Sequence, residues 1–392
     1  MILREHYIQE LRPFYESDLI KIITGIRRCG KSVLMQQIRD EILKKTDNII
    51  YLEFENRKTR SAVSSADKIL DYIDSHRGEG KCYIFMDEIQ EIPNWAEACQ
   101  TLRLGNNSVF ITGSNSKLLS KEFTRALSGR YVSFLIRPFV YKELREYADD
   151  LGKEAKVTDY LVWGGFPKRL EFTGEAMLRY LEDLDETIIY KDIIVRYKIR
   201  KEELFRTLAD FVLRSNGRTV SANSIYKAVK QKHTCSENTI SKYIGYLEDA
   251  YAIGQLKLYS TRTKQELAFY KKTYNGDVAL NSIRCMDNRF DLDHNLENVV
   301  YNELLYMGYK LYVYNNHGRE IDFLAQKGNR RYYVQAAYSV QDDKAYAREF
   351  SAFENLGDPL SQRILITNDE IDYSTSIVRH VPLKDFLLMT EL

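Results

Sequence analysis

The stretch IITGIRRCGKSVLMQQI, residues 22–38, decides how the N-terminal third of the chain is read. Within it Gly25, Gly30, Lys31 and Ser32 satisfy the spacing Gly-x-x-x-x-Gly-Lys-Ser. The spacing carries weight only between a strand and a helix. LIKII, 19–23, is a short apolar strand candidate, and SVLMQQIRDEIL, 32–43, sets Leu34, Ile38 and Ile42 along one helical face. Glycines in such a loop let backbone N–H groups and the helix N-terminus surround phosphate oxygens. Lys31 then reaches the β- and γ-phosphates, and the Ser32 hydroxyl ligates Mg2+. The candidate nucleotide contacts are Gly25, Arg28, Cys29, Gly30, Lys31, Ser32 and Val33, and the expected cofactors are ATP and Mg2+.

A phosphate loop needs a second acidic site, and KCYIFMDEIQEI supplies one about 55 residues downstream of the loop lysine. Tyr83–Met86 is an apolar run suited to a buried parallel strand. Asp87 and Glu88 follow at its C-terminal end, where ligands sit in open α/β sheets. Asp87 is the candidate metal residue beside Ser32, and Glu88 the candidate base that polarises the attacking water. SVFITGSNSKLL reads as a further buried strand, with Ser114 and Asn115 as equal candidates to sense the γ-phosphate. KEFTRALSGRYVSFLI predicts a short helix, a Gly-Arg turn and a strand at 131–136. Arg130 at that turn, or Arg125 on the helix, is placed to reach a neighbouring subunit's γ-phosphate. Strands at about 19–23, 48–54, 82–87, 108–113 and 131–136, alternating with helices, imply a mostly parallel sheet covered on both faces.

The bulk composition is compatible with this. The chain has 392 residues, enough for two or three domains, with 44% hydrophobic and 29% charged residues and a formal net charge of +1. A nucleic-acid surface must therefore be a local patch. The five cysteines, Cys29, Cys82, Cys99, Cys235 and Cys285, include no Cys-x-x-Cys pair, which argues against zinc and fits a reducing cytoplasm. The charged N-terminus is unlike a signal peptide, and no run of about 18 apolar residues exists, so a cytoplasmic protein without a membrane partner is expected.

GIRRCGKS, IFMDEIQ, FITGSNSKLLS and LSGRYV together resemble the P-loop ATPases of the AAA superfamily that bear a C-terminal DUF4143 domain. The later WGGFPKRL, IIYKDIIVRYKIR and KYIGYLEDAY resemble the same group, so the likeness covers nearly the full chain. The resemblance implies an ATP-binding N-terminal domain, Mg2+, and a homo-oligomer such as a hexameric ring.

From Pro138 the pattern turns helical, with the WGGFP break as a rigid turn; Arg169 is a candidate second sensor. Residues 202–258 give three helix candidates with Ser221 and Ser236 as N-caps, and QLKLYSTRTKQELAFYKKTY alternates like a hairpin. Three helices and a wing suit DNA binding, with Ser236, Asn238, Thr239 and Lys242 presented to a groove. From Arg196 to Tyr274, 16 Lys and Arg stand against 7 Asp and Glu, a local excess that suits a polyanion. Arg27 and Arg28 inside the loop add two positive charges.

The C-terminal third resembles a PD-(D/E)xK nuclease core: Glu297 and Glu303 on a helix, Asp322 on one strand, RYYVQAAYSV as the next. Gln335 replaces the second carboxylate and Ala337 the lysine, with Lys344 and Glu349 as candidate substitutes. The expected fold class is α/β. It comprises an AAA-type parallel-sheet P-loop domain (1–139), a helical lid over the nucleotide (140–200), a winged-helix domain (201–275) and an α/β nuclease-like domain read as catalytically inactive (276–392). The expected function is Mg2+-dependent ATP hydrolysis coupled to DNA, with branched DNA or a recombination intermediate as its substrate by analogy with AAA motors that carry winged helices. The alternatives are an ATP-dependent oligomeric switch that recruits a protein in signalling or defence, and a metal-dependent nuclease.

Overall fold

The computed structural model describes residues 2–114, 127, 129–259, 271–285, 289–358 and 361–392. Asn115, Arg125 and most of the expected wing lie outside the described residues. The chain forms two compact units, Met1–Arg137 with Asp249–Tyr251, and Pro138–Glu248 with Ala252–Leu392.

The first unit is built on a five-stranded parallel sheet. Its strands are β1 (Ile20–Thr24), β2 (Ile49–Glu53), β3 (Cys82–Asp87), β4 (Asn107–Gly113) and β5 (Tyr131–Leu135), in the order β2-β3-β4-β1-β5. All four pairings are parallel. The burial of each strand follows from its place. β1, β3 and β4 are buried along their whole length, as strands covered on both faces must be. β2 and β5 lie at the edges and keep partly exposed positions. The helix Lys31–Leu43 buries Leu34, Met35, Ile38 and Ile42, the stripe that the sequence period places on one face.

One core position breaks the apolar rule. Lys21 is fully buried in β1, its ammonium donating to Ser108 Oγ at 2.8 Å and Ser17 O at 3.2 Å. It also lies 4.6 Å from the centre of the Phe110 ring. Burial is the main cause that pushes this amine down to about 7.

In the second unit, helices at Tyr141–Asp150, Val157–Trp163 and Gly174–Thr187 lead into a π-helical turn at Ile188–Val195. The WGGFP turn is fixed by a buried carboxylate. Gly165 N donates to Asp277 Oδ2 at 2.7 Å, and a Cβ at Gly164 (φ +62°) would stand 1.7 Å from Asp277 Oδ1. A Cβ at Gly165 would meet Phe139 O at 1.8 Å, so both positions require glycine. Burial raises the Asp277 carboxyl to about 6.

Next come helix Glu202–Arg214, β6 (Arg218–Thr219), helices Ala222–Val229 and Glu237–Asp249, β7 (Ile253–Lys257) and β8 (Lys271–Asn275). These strands form an antiparallel sheet in the order β6-β8-β7. The unit ends with helix Leu292–Tyr306, β9 (Lys310–Asn316), β10 (Arg319–Lys327), β11 (Arg330–Ala337), helix Asp343–Ser351, β12 (Gln362–Thr367) and β13 (Arg379–Pro382). Its mixed sheet runs β13-β12-β11-β10-β9. Apart from Asp249–Tyr251, the 140–200, 201–275 and 276–392 segments expected from sequence fall in one compact unit.

Lys21 generates a test of the first core. Its folded pKa lies below the ordinary value, so the unfolded chain binds the extra proton between about 7 and the usual lysine range. The penalty is full below pH 7 and fades as pH rises. Lys21→Met is expected to stabilise the chain at pH 7 by ~1–3 kcal/mol, a gain in melting temperature that shrinks towards pH 10. A variant that melts lower than wild type at pH 7 contradicts this reading of Lys21.

Candidate functional site

The loop after β1 curls because its backbone enters left-handed space three times. Gly25 has φ +148°, Arg28 +64° and Gly30 +100°. A Cβ at Gly25 would lie 2.1 Å from Ile136 O, so no side chain fits there. Gly30 precedes the first turn of helix Lys31–Leu43, whose free N–H groups point at the loop. Lys31 is buried, and its ammonium donates to Gly25 O at 3.0 Å and Ile26 O at 3.2 Å, so it curls over the loop. Cys29 is buried within the loop and Arg28 is exposed. Arg27 pairs with Glu55 at 3.3 Å, so one of the two extra loop charges is already spoken for.

The acidic side is assembled across the sheet. β4 lies between β1 and β3, and Thr112 at its end bonds the acidic pair. Its hydroxyl donates to Asp87 Oδ1 and accepts from Glu88 N, the latter at 3.0 Å. Burial raises the Asp87 carboxyl, while hydrogen bonds from Thr112 and Ser32 and the charge of Lys31 pull the other way. Glu88 sits at φ +53°, an uncommon conformation for a glutamate, and Gln90 Nε2 donates to its carboxylate.

Two further sequence candidates lie at opposite ends of the sheet. Ser114 follows β4, and its buried hydroxyl has no hydrogen-bond partner among the described residues. Arg130 is exposed at the start of β5, where its carbonyl accepts from Ile20 N at 3.1 Å. That is the end of the sheet opposite to Gly25, about 16 Å away along a five-residue strand at ~3.3 Å per residue. It cannot serve the loop of its own chain.

Sequence reasoning missed three residues here. Arg4, buried ahead of the first helix, donates through Nη1 to Cys29 O at 2.9 Å and through Nη2 to Arg137 O at 3.0 Å, bracing the loop from behind. Thr112 and Gln90 lie inside motifs that were read for their neighbours. Only the spacing of Thr112, two residues before Ser114 at a strand end, offered a signal.

The residues fit a Mg2+–nucleotide. The glycine cradle excludes side chains, Ser32 and Asp87 are hard oxygen donors, and the orphaned Ser114 hydroxyl is a polar atom awaiting a partner.

In the second unit the sequence candidates separate. Ser236 and Thr239 cap their own helix: Thr239 N donates to Ser236 Oγ at 3.2 Å and the two hydroxyls lie 3.0 Å apart. Asn238 and Lys242 are exposed on the same helix, and Lys227, Lys230 and Lys232 are exposed just before it. Arg169 is buried, and its Nε donates to Gly164 O at 2.8 Å, so its bond belongs to the WGGFP turn rather than to a sensor. Glu303 is also apart from Asp322; it accepts from Tyr141 N at 2.8 Å and Tyr160 Oη at 3.0 Å, and burial lifts it to about 8. Lys344 is exposed, so it does not replace the missing lysine. Glu349 is buried and accepts from Gln335 Nε2 at 2.6 Å. Glu297 does meet Asp322, through Lys272 of β8, which bonds both.

No helix among the described residues is long and apolar enough to cross a membrane. Residues 17–145 match the AAA domain family, 154–288 the domain of unknown function DUF8612, and 293–386 the domain of unknown function DUF4143. An uncharacterized protein of Haemophilus influenzae is 32% identical over 356 residues, 88% of each chain. The uncharacterized protein MJ1544 of Methanocaldococcus jannaschii is 29% identical over 375 residues, 90% of this chain and 82% of that one. In fold, the chain is similar to the Walker-type ATPase paby2304 of Pyrococcus abyssi, with a TM-score of 0.51 at 15% identity over 72% of this chain and 96% of that one. With this loop, this sheet and matches over nearly its full length, the chain belongs to the family of P-loop proteins that join an N-terminal AAA domain to a C-terminal DUF4143 domain.

Proposed function

We propose that this chain is a Mg2+-dependent ATPase whose turnover is coupled to DNA. The observation that carries the ATPase reading is the Thr112 link, which holds Asp87 and Glu88 to one atom at the end of the strand beside the loop. When bound, ATP and Mg2+ supply the phosphoanhydride and the charge that gathers its oxygens. The loop N–H groups and Lys31 would hold phosphate oxygens, and Ser32 and Asp87 would hold the ion. Glu88, steadied by Gln90, takes the proton of the attacking water. Ser114 offers its free hydroxyl to the same region.

Arg130 is assigned to a neighbouring subunit, because its backbone lies at the end of the sheet opposite to its own loop. An arginine supplied across an interface stabilises charge in the transition state. On this reading the protein works as a homo-oligomer. Mixing Arg130→Ala chains, which keep the loop, with Lys31→Ala chains, which keep the arginine, is expected to restore turnover that neither has alone. A mixture as inactive as its components contradicts action across an interface.

The DNA reading rests on topology and charge. The order helix, strand, helix, helix, strand, strand with the sheet order β6-β8-β7 supports the winged-helix reading. Its third helix exposes Asn238 and Lys242, flanked by Lys227, Lys230 and Lys232. The hydroxyls of Ser236 and Thr239 are engaged in capping, so the weight of recognition shifts to these lysines and Asn238. Lysines at a groove supply salt-sensitive phosphate contacts. Turnover is expected to rise with one form among duplex, single-stranded and four-way-junction DNA, and to vanish with Glu88→Gln. Lys230→Glu with Lys242→Glu is expected to weaken DNA binding and to lower its salt slope by ~1 for each phosphate that is no longer neutralised. Turnover indifferent to all three DNA forms contradicts the coupling and directs attention to a protein partner.

A further inference from the structure

Three carboxylates converge on one buried ammonium in the second unit. Lys272 Nζ stands 2.6 Å from Glu297 Oε1, 2.8 Å from Glu320 Oε1 and 2.8 Å from Asp322 Oδ1. The Lys272 side chain is 6% exposed, and those of Glu297 and Asp322 are 8% each. The acids come from two elements. Glu297 is on helix Leu292–Tyr306, and Glu320 and Asp322 are two residues apart on β10, where alternation brings them to one face. An ammonium has three N–H donors, and here each meets a carboxylate. Tyr274, on the same strand as Lys272, adds its hydroxyl to Glu297.

A metal centre built from an acid on a helix and an aspartate on a strand draws its carboxylates together with a divalent ion. Here the ammonium draws them together. The remaining polar groups are also committed. Gln335 Oε1 accepts from Asp322 N at 3.2 Å and its Nε2 donates to Glu349 Oε2. Asp322 Oδ2 accepts from Ala336 N at 3.0 Å. Arg348 Nε donates to Glu349 Oε1 at 2.6 Å, so that acid has its own counter-charge. For a divalent ion to enter at its ~2.1–2.4 Å bonding distance, the ammonium has to leave.

We propose that the Glu297–Glu320–Asp322 centre is a cation site filled from within: the Lys272 ammonium takes the place of a divalent metal. The wild-type chain therefore holds no metal there and cleaves no phosphodiester there. The centre instead fastens β8 to helix Leu292–Tyr306 and β10. The inference is independent of the ATPase reading, since it uses no residue of the loop unit. Without the ammonium, the three carboxylates lose the charge that they share. Such a set of hard oxygens suits Mn2+ or Mg2+.

The test uses the full chain without nucleotide, with Mn2+ binding followed by electron paramagnetic resonance and stability by melting temperature. Any Mn2+ held at the loop is common to all variants, so differences read this centre. Wild type and Asp322→Asn are expected to bind the same amount of Mn2+. Lys272→Met is expected to melt several degrees lower in EDTA, to take one additional equivalent of Mn2+, and to regain stability with it. Adding Asp322→Asn to Lys272→Met should abolish the extra equivalent. Mn2+ held by wild type and lost in Asp322→Asn overturns the proposal, because the site is then metal-bound with its lysine in place. A Lys272→Met chain that takes no additional Mn2+, or that stays unfolded in millimolar Mn2+, also overturns it, because a metal then cannot stand where the ammonium stood.

Discussion

The hydroxyl of Thr112 fixes the acidic pair to β4, the strand that pairs with the loop-bearing β1. With β4 between β1 and β3, the strands that carry the loop and the Asp87–Glu88 pair are separated by one strand; Ser32 bonds Asp87 from the loop, and Thr112 bonds it from the end of β4. One oxygen donates to Asp87 and accepts from Glu88 N, so it fixes the carboxylate and the following backbone together. The left-handed backbone of Glu88 costs about 1–2 kcal/mol. A hydrogen bond made by a buried amide is of comparable worth, ~1 kcal/mol. The strained residue and its restraint are therefore one device.

The second unit depends on the same kind of constraint, spread over more groups. Buried polar atoms must find partners, and here those partners lie on distant segments. Asn275 N donates to Asn298 Oδ1 at 2.9 Å, and Asn298 Nδ2 returns a bond to Asn275 O at 2.9 Å. Asn295 Nδ2 reaches Leu161 O at 3.0 Å, and its Oδ1 accepts from Asn281 at 2.9 Å. Asp277 holds the WGGFP turn, and Glu303 holds the start of helix Tyr141–Asp150. Buried networks of this kind fix one arrangement of the elements, because alternatives strand further buried polar groups. They explain why the helical, three-stranded and mixed-sheet segments form a single unit.

What the sequence disclosed follows from how local each signal is. The loop, the Asp-Glu pair and the five strands were legible because glycine spacing, apolar runs and strand ends are contiguous patterns. The buried strands β1, β3 and β4 fell within a residue or so of their expected bounds. Arg130 was found at the strand start, but its side of the sheet needed the pairing of Ile20 with Tyr131. Arg4, Thr112 and Lys272 were not legible, since each acts through a partner 25 or more residues away. Glu303 was grouped with Asp322 by its place on the helix. The fold gives it to Tyr141 and Tyr160 instead, because Glu297, nearly two turns earlier, is the acid that reaches Lys272. Ser236 was legible as a cap, and that same role removes its hydroxyl from the free surface.

The proposed ATPase centres on Thr112, so the most direct measurement compares steady-state ATP turnover and equilibrium ATP binding in Thr112→Val and Thr112→Ser. The account predicts a fall in kcat of about 10–100-fold for the valine, with ATP affinity within a few-fold of wild type. The serine, which keeps the hydroxyl, should retain most of the activity. Wild-type turnover in Thr112→Val, measured in a chain that binds ATP normally, would contradict the account.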